Sequence, residues 1–157
     1  MSRWYIVLFI VLLVGNILVY QAIFAPNILK VTVLDVGKGS AALVQIPNNK
    51  TFLIDAGPDA SILRALGKEL PPWHRTIDAV LLTGAKTNVA GGLADVTGRY
   101  RVKNIVRSGT HVSLDNTTIN ILSPGTFTIL YGTTSFTISS STPAGIYISN
   151  GKIITRL

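Results

Sequence analysis

The loop Thr83-Gly84-Ala85-Lys86-Thr87-Asn88-Val89-Ala90-Gly91-Gly92-Leu93 carries one lysine, one asparagine and two threonines, with no histidine, carboxylate or cysteine. It follows a strand-like run, Ile77-Asp78-Ala79-Val80-Leu81-Leu82, and leads into a helix expected from Gly92 to Tyr100. A strand end passing through a loop into a helix is where α/β proteins place their chemistry. Metal binding and general-base work need side chains that this loop lacks. Anion binding remains open to it. A fixed lysine can hold a phosphate oxygen by charge, and glycine-rich turns add backbone N–H donors. Lys86, and Lys38 in the turn Asp35-Val36-Gly37-Lys38-Gly39-Ser40, are therefore candidate anion contacts. The competing reading is a pair of solvated lysines.

Other residues with chemical potential are scattered. Arg99, Arg101, Lys103 and Arg107 form a second basic cluster. Residues 99, 101 and 103 share one face if extended, a track that would suit a phosphate backbone, but a solvated strand face is the preferred reading. Only Tyr100 interleaves, so base stacking is not signalled. Asp55 closes a strand and is expected to bind nearby backbone amides. His74, in a turn, and His111, in a loop, lack ligand spacing to each other. A metal would need three ligands converging from Asp35, Asp55, Asp59, His74 and His111. Ser40, Ser139, Ser140 and Ser141 have no recognisable base partner.

The elements that must position these residues follow from periodicity and turn chemistry. Strands are expected over Ile28–Leu34, Ala41–Ile46, Thr51–Asp55 and Ile77–Leu82. Turns fall at Asp35–Ser40 and at Pro47-Asn48-Asn49-Lys50. Asp59 is the expected N-cap of a helix from Ala60 to Leu70, with Ile62, Leu63, Leu66 and Leu70 on one side and Pro71-Pro72 ending it. Further on, strands are expected at Val102–Val106 and at Val112–Leu122, the latter broken by Asp115-Asn116. Hairpins are expected around Gly132 and around Asn150-Gly151. The order predicts an α/β or α+β domain with a mixed sheet.

The 157 residues allow one domain, and the 48% hydrophobic content is concentrated at the start. Residues 4–24 contain no charge and are long enough to cross a bilayer core of about 30 Å as a helix. Trp4, Tyr5 and Tyr20 suit its interfaces. Arg3 and the terminal amine favour a cytoplasmic N-terminus, which places the domain, residues 28–157, outside the cytoplasm. A cleaved signal peptide is the rival reading, but the run is longer than a signal core, no A-x-A site follows, and Pro26 comes directly after Ala25. With no cysteine, thiol catalysis, disulfides and cysteine metal sites are excluded. The net charge of +7 suits nucleic acid, lipid headgroups or cell-wall polymer, and equally suits solubility beside an anionic membrane.

Leu34-Asp35-Val36-Gly37-Lys38-Gly39-Ser40-Ala41 resembles the LDVGQGDA motif of the metallo-β-lactamase-like domain of ComEC-type competence proteins. Thr51–Pro58, the segment Ile62–Trp73 and Ile77–Thr83 continue in that family's order. The resemblance runs from about Asn16 to Tyr100, then thins to Ile121-Leu122-Ser123-Pro124 and Tyr131–Phe136. It implies a shortened metallo-β-lactamase-like mixed-sheet domain behind one transmembrane helix, with a role in DNA uptake. The family's strand-end loop, T-H-x-D-x-D-H-x-G-G-L, binds divalent metals, zinc or manganese, whose bound water attacks a phosphodiester. Here Thr83, Gly91, Gly92 and Leu93 match, but the ligand positions read Gly84, Lys86, Asn88 and Val89, and a later bridging aspartate falls near Ser141. The resemblance thus implies a membrane-bound pseudoenzyme without a metal cofactor. Its expected partners are the membrane, DNA and other DNA-uptake proteins, and Lys38, Lys86, Arg99, Arg101 and Lys103 are its candidate anion-binding residues.

Overall fold

The computed structural model describes residues 3–24, 28–47, 50–107, 111–114, 117–139, 141–152 and 154–156. The N-terminal run forms one helix, α1 (Arg3–Phe24). From Trp4 to Val19 every large apolar side chain is at least 48% exposed. The expected membrane span over 4–24 is met only in the backbone. Among the described residues no helix is long and apolar enough to cross a membrane.

The first four strands fall close to expectation: β1 (Leu29–Val33), β2 (Ala42–Ile46), β3 (Lys50–Ile54) and β4 (Thr76–Leu82). Between β3 and β4 lies α2 (Ser61–Glu69), which buries Ile62, Ala65 and Leu66 on one face. Its cap residue is Ala60 rather than Asp59. The Asp59 carboxylate instead accepts the Ser61 N–H at 2.8 Å, so it still satisfies an N-terminal donor. After β4 come a single turn, α3 (Thr87–Ala90), then α4 (Leu93–Arg99) and β5 (Arg101–Arg107).

The remaining chain is all strand: β6 (His111–Leu114), β7 (Thr117–Ser123), β8 (Thr126–Tyr131), β9 (Thr134–Ile138), β10 (Gly145–Ser149) and β11 (Ile154–Arg156). Leu114 pairs with Thr117, so the break at Asp115-Asn116, which lies outside the described residues, separates two antiparallel strands. The turn residues Asn48 and Asn49 also lie outside them. Ser149 pairs with Ile154, so the last hairpin is wider than the two-residue Asn150-Gly151 turn expected for it.

The strands form a mixed seven-stranded sheet, β11-β10-β1-β2-β3-β4-β5, and a four-stranded antiparallel sheet, β6-β7-β8-β9. Parallel pairing is confined to β3–β4 and β4–β5, where α2 and α4 make the return crossings. The large sheet is buried on both faces, which accounts for the nearly continuous apolar sequence of β4. One face packs Val44, Phe52, Ile54 and Leu81 against Ile119, Phe127 and Ile129 of the small sheet. The other packs Leu43, Leu53 and Val80 against Ile62 and Leu66 of α2 and Val96 of α4.

This topology gives the large sheet two distinct edges. The C-terminal ends of β1, β3 and β4 gather the loops beginning at Leu34, Asp55 and Thr83 at one end. The N-terminal ends of β1, β3, β4 and β5 lie at the other.

Candidate functional site

Three loops are stitched together at the C-terminal edge by backbone hydrogen bonds. Ser40 N–H donates to Asn88 O at 3.1 Å, Ala56 N–H to Val89 O at 2.7 Å, and Gly57 N–H to Ser40 O at 3.1 Å. Such close approach requires glycine. A Cβ on Gly91 would stand 2.0 Å from Pro58 O, and one on Gly92 would stand 2.4 Å from Ala56 O. The Gly37–Gly39 turn divides the work. Gly37 takes φ +74°, whereas Gly39 supplies space, since its Cβ would meet Asn88 O at 2.6 Å.

Asp55 sits at the centre of this edge, fully buried, and is the one non-glycine described residue with positive φ, at 59°. Its Oδ1 accepts the Thr83 N–H at 2.8 Å, and the Thr83 hydroxyl lies 2.7 Å from Oδ2. Thr83 Oγ1 in turn accepts the Gly125 N–H at 2.6 Å, from the turn between β7 and β8. Burial pushes the Asp55 carboxyl up to about 6, and the bonds from Thr83 only partly oppose this. Asp55 thus binds a neighbouring amide, as expected from sequence, and it also spans the two sheets through Thr83.

The positions that would hold a metal are filled differently. Val89 is buried, and Pro124 lies across Gly84, 3.1 Å from where a Cβ would be. Lys86 and Asn88 are exposed. Ser141 is exposed too, with its hydroxyl 2.7 Å from that of Ser139. Ser140 lies outside the described residues. Among the described residues no three His, Cys, Asp or Glu side chains are placed to hold a metal ion. The donor set does not fit zinc or manganese, because an apolar side chain, a glycine and an ammonium replace imidazole and carboxylate.

An open groove of about 530 Å³ remains beside this loop, lined by Thr83, Gly84, Lys86, Ile121, Leu122 and Pro124. The contribution of β7 to it is not evident from sequence spacing. The one signal was that Ile121-Leu122-Ser123-Pro124 is similar to a later family segment.

The structure brings Lys38 and Lys86 to the same edge, since their turns are joined through Ser40 and Asn88. It does not bring the second basic cluster there. Arg101 pairs with Thr76 at the start of β4, so Arg99 and Arg101 lie at the opposite edge. The extended track over 99–103 is also broken, because Arg99 ends α4 while Arg101 begins β5. Lys103 is held by Asp78 at 2.7 Å. His74 is engaged by Thr51 Oγ1 at 3.1 Å near that same far edge. His111 opens strand β6 rather than lying in a loop, because it pairs with Asn120.

The chain has a metallo-β-lactamase-like fold. It is similar to a mutant metallo-β-lactamase with a HARLDQ motif from Cronobacter sakazakii, with a TM-score of 0.51 and 18% identity over 76% of this chain and 65% of that one. A second HARLDQ metallo-β-lactamase from that organism gives a TM-score of 0.48 and 19% identity, covering 64% of this chain and 52% of that one. A diphosphatase of the PhnP family gives 0.45 and 16%, covering 68% and 64%. The chain therefore spans between about half and two thirds of the length of these proteins. No family model and no curated protein matches it.

Proposed function

We propose that this chain is a non-catalytic metallo-β-lactamase-fold module of the ComEC-type DNA-uptake kind. In this reading α1 tethers it to a membrane, and its former metal edge binds DNA phosphates through Lys38 and Lys86. The observation that carries the non-catalytic part is how the ligand loop is filled: Pro124 covers Gly84 and Val89 is buried. DNA binding is supported by two exposed lysines on one edge of a chain with net charge +7. Anchoring is supported by a helix apolar on all sides, which needs a cover other than water. In this reading Arg3, beside the start of the helix, favours a cytoplasmic N-terminus and a domain outside the cytoplasm.

The test is binding of a labelled DNA duplex to the full chain in lipid nanodiscs at two salt concentrations. Lys38→Glu/Lys86→Glu is expected to weaken binding about tenfold or more at low salt and to flatten the salt dependence by roughly two phosphate contacts. Equal binding by both proteins would remove the cleft reading. Stoichiometric zinc or manganese together with phosphodiesterase activity would remove the non-catalytic one.

One observation favours a second reading, in which the groove takes a segment of another uptake protein. Leu122 is 63% exposed beside Lys86, a pairing that suits an apolar residue next to an acidic one. Leu122→Ser would then abolish partner capture while leaving DNA binding intact.

A further inference from the structure

The opposite edge of the large sheet carries an arrangement that the DNA reading does not use. Trp73, in the loop between α2 and β4, is 82% exposed. An indole left in water has no packing role, and its apolar body with one polar N–H suits a membrane interface. Beside it stand three exposed cations: Arg75 before β4, and Arg99 and Arg101 where α4 meets β5. Their closeness is fixed by backbone pairing, since Arg101 N–H donates to Arg75 O at 2.8 Å. The described acids at this edge are already taken, Glu69 by Lys30 at 3.2 Å and Asp78 by Lys103 at 2.7 Å. Among the described residues Arg75, Arg99 and Arg101 have no acidic partner.

The same edge is where the chain enters the domain. α1 ends at Phe24 and β1 begins at Leu29, so the connection reaches at most about 18 Å. From β1 to β5 is four strand spacings, about 19 Å. A helix seated in a bilayer would therefore hold the start of β1 within about 18 Å of the headgroups it leaves, at the same end of the sheet as Trp73.

We infer that this edge is a membrane-docking face, with Trp73 set among the headgroups and Arg75, Arg99 and Arg101 holding the phosphates of anionic lipids. The inference rests on the reading of α1 as a membrane anchor. Juxtamembrane cations gain from an anionic surface individually and additively, which suits three unpaired side chains on one rim.

The experiment uses the full chain in vesicles, with single-tryptophan variants and headgroup-region quenching. Trp4→Phe leaves Trp73 as reporter, and Trp73→Phe leaves Trp4. Trp73 is expected to be shielded and quenched in vesicles of phosphatidylcholine and phosphatidylglycerol in equal parts, and to stay in water in pure phosphatidylcholine. Arg99→Glu/Arg101→Glu should lower the docked fraction about tenfold, whereas Lys38→Glu/Lys86→Glu should leave it unchanged. A water-exposed Trp73 in both vesicles, with Trp4 still quenched by lipid, overturns docking and leaves the anchor standing. An unquenched Trp4 overturns the anchor and docking together. Shielding of Trp73 by duplex DNA but not by anionic lipid also overturns the inference.

Discussion

Thr83 gives Asp55 both of its donors, the backbone N–H to Oδ1 at 2.8 Å and the hydroxyl to Oδ2 at 2.7 Å. The Asp55 carboxylate is thereby turned towards the end of the neighbouring strand. Burial still dominates its protonation and raises its pKa from 3.8 to about 6. The folded state therefore holds a proton that the unfolded state releases between those values. Stability is expected to be greatest near the low end of that window, to fall as pH rises through about 6, and to level off above it. The loss amounts to about 3 kcal/mol. Asp78, whose partial burial is outweighed by bonds from Lys103 and Thr51, titrates in the opposite sense and weakens the fold only at lower pH. Asp55→Asn removes the titrating group and tolerates positive φ, so thermal melts from pH 4 to 7 should lose their slope. A wild-type protein that gains stability steadily from pH 4 to 7 would contradict this assignment.

Thr83→Val keeps the shape of the side chain and removes its hydroxyl. Asp55 then loses a donor and the Gly125 N–H loses its acceptor, both in a buried setting. A loss of about 2–4 kcal/mol in denaturant unfolding is expected, with Thr83→Ser recovering most of it. Equal midpoints for the valine and serine variants would show that the hydroxyl is not used.

Two glycine-to-alanine changes should act in opposite directions. Gly91→Ala forces a Cβ to within 2.0 Å of Pro58 O, backbone against backbone, and should cost about 3 kcal/mol or more. Gly67, inside α2, has nothing within 4 Å of its Cβ position, and Gly67→Ala should gain about 0.5–1 kcal/mol. Chemical denaturation curves compare the two directly.

Gly84→Ala brings a methyl to 3.1 Å from Pro124 Cβ, and Gly84→His adds an imidazole to the same space. The histidine variant should lose about 1–3 kcal/mol and gain no melting shift from zinc. Pro124→Ala should restore part of that loss in a double-mutant cycle. Full additivity of the two changes would mean that Pro124 does not close this position.

Much of the frame is legible in the sequence because it rests on local rules. The alternation and apolar runs of β1 to β4, the amphipathic spacing of α2 and the glycine pair at 91–92 each announce a physical need. What was hidden depends on pairing over long distances. Spacing alone does not place Pro124 on Gly84, because that contact joins two sheets through a turn forty residues downstream (residue 84 to residue 124). Nor does it separate Lys86 from Arg101, which stand 15 positions apart in sequence (101 − 86) and at opposite edges of the sheet. Reading 99–103 as one extended track failed because the helix–strand junction at Tyr100 falls within it.

The bond from Gly125 to the Thr83 hydroxyl has a consequence for spectroscopy. Thr83 Oγ1 is shared between an amide on the small sheet and a carboxylate on the large one. When Asp55 takes up its proton near pH 6, the electron density offered to the Gly125 N–H changes with it. A glycine amide with no titratable neighbour in sequence should therefore follow the titration of an aspartate 70 residues earlier (125 − 55).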